Sequence, residues 1–82
     1  MTKDVQEKFQ ALLQKYSELL IGENDDQSVD EVKMWALYSH IAKTMPPLVK
    51  HWNEMYPDAK EELKRISFSI KEKNQNLRNK KD

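Results

Sequence analysis

Apolar and polar positions alternate along the N-terminal segment with the period of an α-helix. The apolar residues recur at spacings of three and four and form one broad stripe: Val5, Phe9, Leu12, Leu13, Tyr16, Leu19 and Leu20. Thr2 is a candidate N-cap, and Gly22 can end the helix in the left-handed conformation. Because the stripe is broader than a two-stranded coiled-coil seam, we expect this helix to pack against more than one neighbour.

A second helical pattern follows the polar turn that ends at Ser28. Ser28 and Glu31 have the spacing of a capping box, which predicts that the helix begins there. Its apolar positions fall within about 160° of arc when each residue advances by 100°; they are Met34, Trp35, Leu37, Tyr38, Ile41, Ala42 and Met45. Trp35 is predicted to be a core residue, whereas His40 falls on the opposite side and is predicted to face solvent.

The pair Pro46 and Pro47 interrupts this pattern. The missing N–H groups and the restriction on the residue before a proline predict a break, with Pro47 as the first residue of a short helix. The apolar face of that helix comprises Leu48, Val49, Trp52, Met55 and Tyr56. One kinked helix over residues 29–56 is the alternative, since the apolar positions of both segments fall within the same arc.

A last helix is predicted after Pro57, which ends the short segment. Asp58 and Glu61 offer a second capping arrangement, and the helix should run to residue 77 or 78. Its narrow stripe consists of Ala59, Leu63, Ile66, Ile70 and Leu77, with Lys73 as an interruption. Such a narrow stripe is typical of a helix that packs along one groove.

The predicted fold is therefore all-α. It is a small antiparallel helical bundle of three long helices plus a short segment after the Pro-Pro break. Residues 1–78 are predicted to form a single helical domain, and residues 79–82 a frayed tail.

Composition agrees with one small soluble domain. A chain of 82 residues can build one core, and 34% charged residues make it polar. It contains no cysteine, so neither a disulfide framework nor a thiolate site is expected. The N-terminus lacks a signal-peptide pattern, and no apolar run approaches the roughly 20 residues of a membrane span. We therefore expect a cytoplasmic protein without a membrane partner.

Candidate chemistry is sparse. His40 and His51 are separated by the proline break, so they do not form a helical metal pair. The acidic turn before Ser28 lacks the glycine and the final glutamate of a calcium loop. The single glycine excludes a phosphate-binding loop. No catalytic residue, cofactor or metal site is predicted, and the protein is not expected to be an enzyme.

Charge is unevenly distributed although the net charge is zero. Residues 57–82 carry eight basic and five acidic side chains, so weak nucleic-acid binding through the basic C-terminal helix is one alternative function. Its candidate residues are Lys60, Lys64, Lys71, Arg78, Lys80 and Lys81. Interspersed Glu61, Glu62 and Glu72 weaken this alternative, and nucleic acid is not the favoured partner.

Protein binding is the favoured function. Phe68 lies about 180° from the stripe of the last helix and is predicted to point outward. His51, Trp52 and Tyr56 lie beside the prolines, where they can line a groove. Exposed aromatic residues often anchor interfaces. The four residues are the predicted partner surface of a non-catalytic protein–protein interaction module, with a homodimer as one form of the interaction.

The segment WALYSHIAKTMPPLVKHWNEMYPDAK, residues 35–60, resembles the YusU-like family of small uncharacterised bacterial proteins. The resemblance extends over most of the chain. It implies a cytosolic bacterial protein, and it carries over no functional residue because that family has no assigned activity.

Overall fold

Four helices joined by short connections make up residues 3–79, the part of the chain that the computed structural model describes. They are α1 (Lys3–Ile21), α2 (Asp26–Thr44), α3 (Pro46–Met55) and α4 (Pro57–Asn79), and these residues contain no strand. The all-α class is confirmed, whereas the antiparallel arrangement stays a prediction. Thr2, Lys80 and Lys81 lie outside the described residues.

Gly22 ends α1 as predicted. Its φ of 77° lies in the left-handed region that glycine adopts without a steric penalty. The amide of Gly22 donates to the carbonyl of Glu18 at 2.9 Å. A Cβ at this position would lie 3.6 Å from a methyl of Leu77, an ordinary contact. The backbone conformation, not lack of space, therefore selects glycine here.

The start of α2 differs from the predicted capping box. Asp25 is the N-cap, and its carboxylate accepts a hydrogen bond from the Ser28 amide at 3.3 Å. Ser28 is buried inside the first turn, where its hydroxyl lies 2.8 Å from Glu23 Oε1 and 2.7 Å from Asp25 Oδ1. The prediction of Ser28 as the first cap was wrong because the helix begins three residues earlier, where Asp25 caps it by accepting from the Ser28 amide.

The break between α2 and α3 is confirmed, and the single kinked helix over residues 29–56 is not observed. Met45 leaves the helical region with φ −139° and ψ 66°, and its amide still donates to Ile41 O at 2.7 Å. Pro46 and Pro47 then occupy the first turn of α3, where their missing N–H groups leave no helical bond unmade. The new helix starts one residue earlier than predicted because Met45, the residue before the pair, absorbs the steric restriction.

Pro57 begins α4 and does not merely end the preceding segment. Tyr56 adopts φ −129° and ψ 68°, and its carbonyl accepts the first helical bond from the Lys60 amide at 3.0 Å. Asp58 therefore lies inside the first turn, so the predicted second cap was wrong. An acidic side chain at this position still favours the helix through its dipole.

The hydrophobic core lies where the end of α1, the start of α2 and the middle of α4 meet. Its cluster of buried residues is Ile21, Val32, Ile66 and Ile70, against which Leu20, Trp35 and Leu63 pack. The predicted α4 stripe therefore faces the core, and Trp35 contributes as a partly buried residue. In contrast, Met34 and Leu37 are about half exposed.

The face of α2 that enters the core overlaps the predicted one only at Trp35. Val29 and Val32 are almost fully buried, and Val32 lies about 160° around the helix from Met34 at 100° per residue. Helix α2 thus has two apolar faces, one for the core near its start and one that includes Met34, Leu37 and Ile41 farther along. The first face was missed because it contains only two valines.

A set of polar contacts, called the α1–α4 clamp below, links the C-terminal end of α1, the turn that follows it and α4. The hydroxyl of Ser17 donates to Glu23 O at 2.6 Å, and the amide of Asn74 donates to Leu20 O at 2.7 Å. Lys73 pairs with Glu23 at 3.0 Å. The hydrogen bond from Lys73, followed by that from Ser28, lowers the pKa of the Glu23 carboxyl. Lys73, predicted as an interruption of the stripe, is therefore a structural contact.

The N-terminal half of α1 projects away from these contacts. The expectation that α1 packs against more than one neighbour is confirmed, since it contacts both α2 and α4. Residues 3–12 are all exposed, so only the C-terminal part of the stripe takes part in this packing. The molecule is correspondingly flat, with extents of 39 × 39 × 21 Å. None of the helices within residues 3–79 combines the length and apolarity that crossing a bilayer requires.

Candidate functional site

An open apolar groove lies between the second half of α2, α3 and the first half of α4. Its volume is about 550 Å³. All three helices contribute to its wall, with Met34, Leu37 and Ile41 from α2, Leu48 and Trp52 from α3, and Leu63 from α4. Met34, Leu37 and Leu48 are 48–53% exposed. A continuous set of large apolar side chains is thus open to water, a feature that marks binding surfaces.

Aromatic contacts hold α3 in position at one wall of this groove. The ring centroids of Tyr38 and Trp52 are 6.0 Å apart, and those of Trp52 and Tyr56 are 5.7 Å apart, both pairs tilted. The Tyr38 hydroxyl donates to Asn53 Oδ1 at 2.8 Å. These contacts satisfy the polar atom of the tyrosine while its ring faces the groove. The proline break makes this geometry possible because it lets α3 turn back onto α2.

Glu62 supplies the one charge among the described residues of the groove wall. Arg65 donates to both of its carboxylate oxygens, with the guanidinium Nε at 3.0 and 3.1 Å and a terminal nitrogen at 2.9 Å from Oε1. These hydrogen bonds lower the pKa of the Glu62 carboxyl and raise that of Arg65. The carboxylate is therefore already partnered, and the groove offers apolar contact rather than a reactive group.

The four predicted partner-surface residues are divided between two faces. Trp52 lines the groove, and Tyr56, 49% exposed, packs against its ring. His51 is exposed on α3 but does not line the groove. Phe68 points outward, 69% exposed, on a different part of the surface. Whether these residues bind a partner stays a prediction.

A second depression surrounds Phe68 between α2 and α4. Its volume is about 690 Å³, and four lysines contribute to its wall: Lys43, Lys60, Lys64 and Lys71. No ion pair to a described residue engages any of the four. This depression is therefore a basic surface with an aromatic side chain in it.

Met34, Leu37 and Leu48 were missed as site residues because the hydrophobic pattern identified them only as members of apolar helix faces. The signal that distinguishes them is the pair Val29 and Val32, which places a second apolar face on α2. A helix of a small domain with two apolar faces must expose one of them unless a further element covers it.

The fold and the groove define a small all-α protein with an open apolar groove. Residues 3–80 match the family described as "Protein of unknown function (DUF2573)", and the chain belongs to this family. It is 56% identical over 80 residues to "Uncharacterized protein YusU" of Bacillus subtilis (strain 168), covering 98% of this chain and 84% of that protein. The resemblance seen in the sequence is confirmed. No solved structure matches the chain.

Proposed function

We propose that the protein is a non-catalytic binding module whose groove accepts an amphipathic helix of a protein partner. The supporting observation is the groove itself, an open apolar channel lined by side chains of three helices. A helix that enters such a groove places apolar residues at spacings of three and four against its walls. Binding would move Met34, Leu37 and Leu48 out of water.

The chemistry of the walls supports binding rather than catalysis. General acid–base catalysis uses a titratable group that is free to exchange a proton with a ligand. In the groove the charged group is Glu62, whose oxygens already accept hydrogen bonds from Arg65. Met34 contributes an unbranched side chain that adapts to the shape of a bound helix.

Trp52 provides a direct test because it lies in the groove wall. A Trp35→Phe variant leaves Trp52 as the single tryptophan, and its emission is measured while a designed amphipathic peptide of leucine, glutamate and lysine is added. We expect a saturable blue shift, because the peptide excludes water from the indole ring. A Leu37→Glu change in the same background should abolish the shift, and a His40→Glu change on the exposed side of α2 should preserve it.

The peptide titration also defines what would overturn the proposal. An emission spectrum that stays unchanged up to about 1 mM peptide, which corresponds to a binding free energy of about −4 kcal/mol, would show that the groove does not accept helices. A shift that Leu37→Glu leaves intact would place the peptide elsewhere on the surface and would contradict the proposal equally.

Weak nucleic-acid binding is a second candidate, favoured by the depression around Phe68. Four lysines without ion pairs to described residues surround an exposed aromatic ring, and single-stranded nucleic acids bind surfaces of this composition by charge and stacking. A fluorescent single-stranded oligonucleotide should then bind at low salt, lose affinity steeply as salt rises, and bind less tightly to a Phe68→Ala variant. Absence of binding at low salt would exclude this candidate.

A further inference from the structure

One face of α1 presents apolar side chains that the rest of the described chain does not cover. Phe9, Leu12, Tyr16 and Leu19, called the α1 seam below, follow at spacings of three, four and three. They are 41–67% exposed. Such spacing is the signature of a helix that packs along another helix or within a groove.

The N-terminal half of α1 also lacks the packing that stabilises helices in proteins. Every residue from 3 to 12 is exposed, and isolated helices shorter than about 12–15 residues are marginal in water. A partner that covers this segment would stabilise it and would bury the α1 seam at the same time.

We propose that the α1 seam occupies the groove of a second copy of this chain, and that the second copy returns the same contact. This inference rests on the proposed function, since it names the helix that the groove binds. The result is a two-fold symmetric dimer in which one surface, seam plus groove, is presented by each subunit.

The seam cannot fill the groove of its own chain without breaking observed contacts. The α1–α4 clamp holds the end of α1 through Ser17 and Leu20, and Ile21 is buried in the core. The groove lies on the second half of α2 and the first half of α4, and it meets the core at Leu63 and Ile66. To reach it, α1 would have to release Ile21 and the clamp.

The buried area favours seam-into-groove contacts over pairing of two seams. Aromatic side chains bury about 150–250 Å² each, so the exposed fractions of the α1 seam correspond to roughly 400 Å² per copy. Two seams packed together would cover only about 800 Å² in total, the size of an incidental contact. Two reciprocal seam-into-groove contacts cover roughly twice that area, which reaches the standard size of a specific interface.

Charges beside the seam do not oppose this docking. Lys8 pairs with Asp4 at 3.1 Å, and Lys15 pairs with Glu18 at 2.9 Å. Both lysines are thus balanced within their own helix. On the groove wall Glu62 is balanced by Arg65 in the same way. Each of these charged groups therefore has a partner on its own helix. Docking does not place any of them alone in an apolar contact, where an unpaired charge would be costly.

The test is the molar mass in solution across a concentration series, measured by light scattering and sedimentation. The wild-type protein should move from 9.8 kDa toward twice that mass as concentration rises. Leu12→Glu in the seam and Leu37→Glu in the groove should each weaken the dimer on the order of 100-fold, since each places a charge in an apolar contact. Both residues are exposed, so the fold should persist. Gln10→Glu on the opposite side of α1 and His40→Glu on α2 are the controls and should leave the dimer intact.

Mixing the two disruptive variants identifies the arrangement. The Leu37→Glu chain retains its seam, and the Leu12→Glu chain retains its groove. An equimolar mixture should therefore form heterodimers under conditions in which each variant alone remains monomeric. A Leu37→Glu variant that still dimerises, together with a mixture that shows no gain, would reveal seam-to-seam pairing and overturn the inference. A mass of 9.8 kDa for the wild type at every concentration would also overturn it.

The peptide titration separates failure of this inference from failure of the proposed function. It is repeated with Trp35→Phe in a Leu12→Glu background, in which no seam competes for the groove. A blue shift of Trp52 combined with a monomeric wild type would retain helix binding and reject the second copy as the partner. No shift in this background would reject the proposed function itself.

Discussion

Individual buried polar residues connect chain segments through hydrogen bonds. Ser17 is fully buried, and Ser28 nearly so, yet each hydroxyl reaches an oxygen atom of the turn between α1 and α2. A serine hydroxyl carries one proton, so Ser28 donates to Glu23 or to Asp25 at any moment. The sequence shows Ser17 as an ordinary polar position and Ser28 only as a cap candidate, because nothing in their spacing indicates which carbonyl or carboxylate lies opposite.

Replacement of Ser17 by alanine should destabilise the protein by about 1–3 kcal/mol. The hydroxyl donates at 2.6 Å to Glu23 O, and its removal leaves that carbonyl without this partner. Urea unfolding measures the change, with Ser69→Ala as the matched control because the Ser69 hydroxyl makes no such bond within the described residues. Equal midpoints for the two variants would contradict the assigned role of Ser17.

The pair Lys73 and Glu23 predicts a specific pH dependence. The pKa of Glu23 is lowered in the folded protein from an ordinary value of 4.5, first by the hydrogen bond from Lys73. The stability that this contact contributes is therefore present above pH 4.5 and is lost as pH falls through the lowered pKa.

Both side chains of this pair are more than a third exposed, so the contribution should be below about 1 kcal/mol. Unfolding free energies of the wild type and of Glu23→Gln, compared between pH 3 and pH 7, test this expectation. Their difference should shrink toward acidic pH. A difference that stays constant over this range would show that the ionised carboxylate contributes nothing.

At the scale of elements, the helices could be predicted far better than their ends or their faces. Apolar spacing predicted each helix, and Gly22, the proline pair and Pro57 predicted the three connections. Caps were misassigned because more than one polar side chain near a helix start can serve as the N-cap, as with Asp25 and Ser28. The groove on α2 was not recognised because spacing reveals which residues share a face, while tertiary contacts determine what that face meets.

The break at Met45 should depend on the first proline of the pair. Replacing both Pro46 and Pro47 by alanine removes the restriction on Met45 and restores two amide donors, so α2 should continue through it. The ring contact of Tyr38 with Trp52, 6.0 Å between centroids, would then separate. In a Trp35→Phe background, the emission of Trp52 should shift to the red.

Pro47→Ala alone is the control for this experiment. It keeps Pro46, and with it the restriction on Met45, so emission of Trp52 should remain close to that of the parent. A double variant with an unchanged spectrum would show that the aromatic contacts, rather than the prolines, set the direction of α3.

For the whole molecule, the structure divides into a small core and a projecting helix half. The sequence predicted one domain but gave no indication that α1 leaves the core midway, because its apolar stripe continues without interruption to Val5. Only the position of the α1–α4 clamp shows where packing ends. The proposed dimer depends on this division, because it leaves both the α1 seam and the groove at the surface of one copy.

Amide hydrogen exchange should report this division. Core amides near Ile66 and Ile70 should be protected equally at all protein concentrations, since their packing lies within one chain. Amides in the first half of α1 should gain protection as concentration rises, because a second copy covers them in the proposed dimer. Strong protection of that half at the lowest concentration would show that it is stable without a partner.

The α1–α4 clamp holds the end of α1 in place and also determines the direction in which the side chains of α1 point. Because the clamp holds Ser17 and Leu20 in position, it sets the rotation of α1 about its own axis. This includes the N-terminal turns, which project away from the clamp. One residue inserted between Leu13 and Ser17 would rotate the preceding residues of α1 by about 100° about the helix axis and would leave the core unchanged. The chain would keep its fold, but the α1 seam would point in another direction. In the proposed dimer, the phase of this single helix therefore sets how the second copy is oriented.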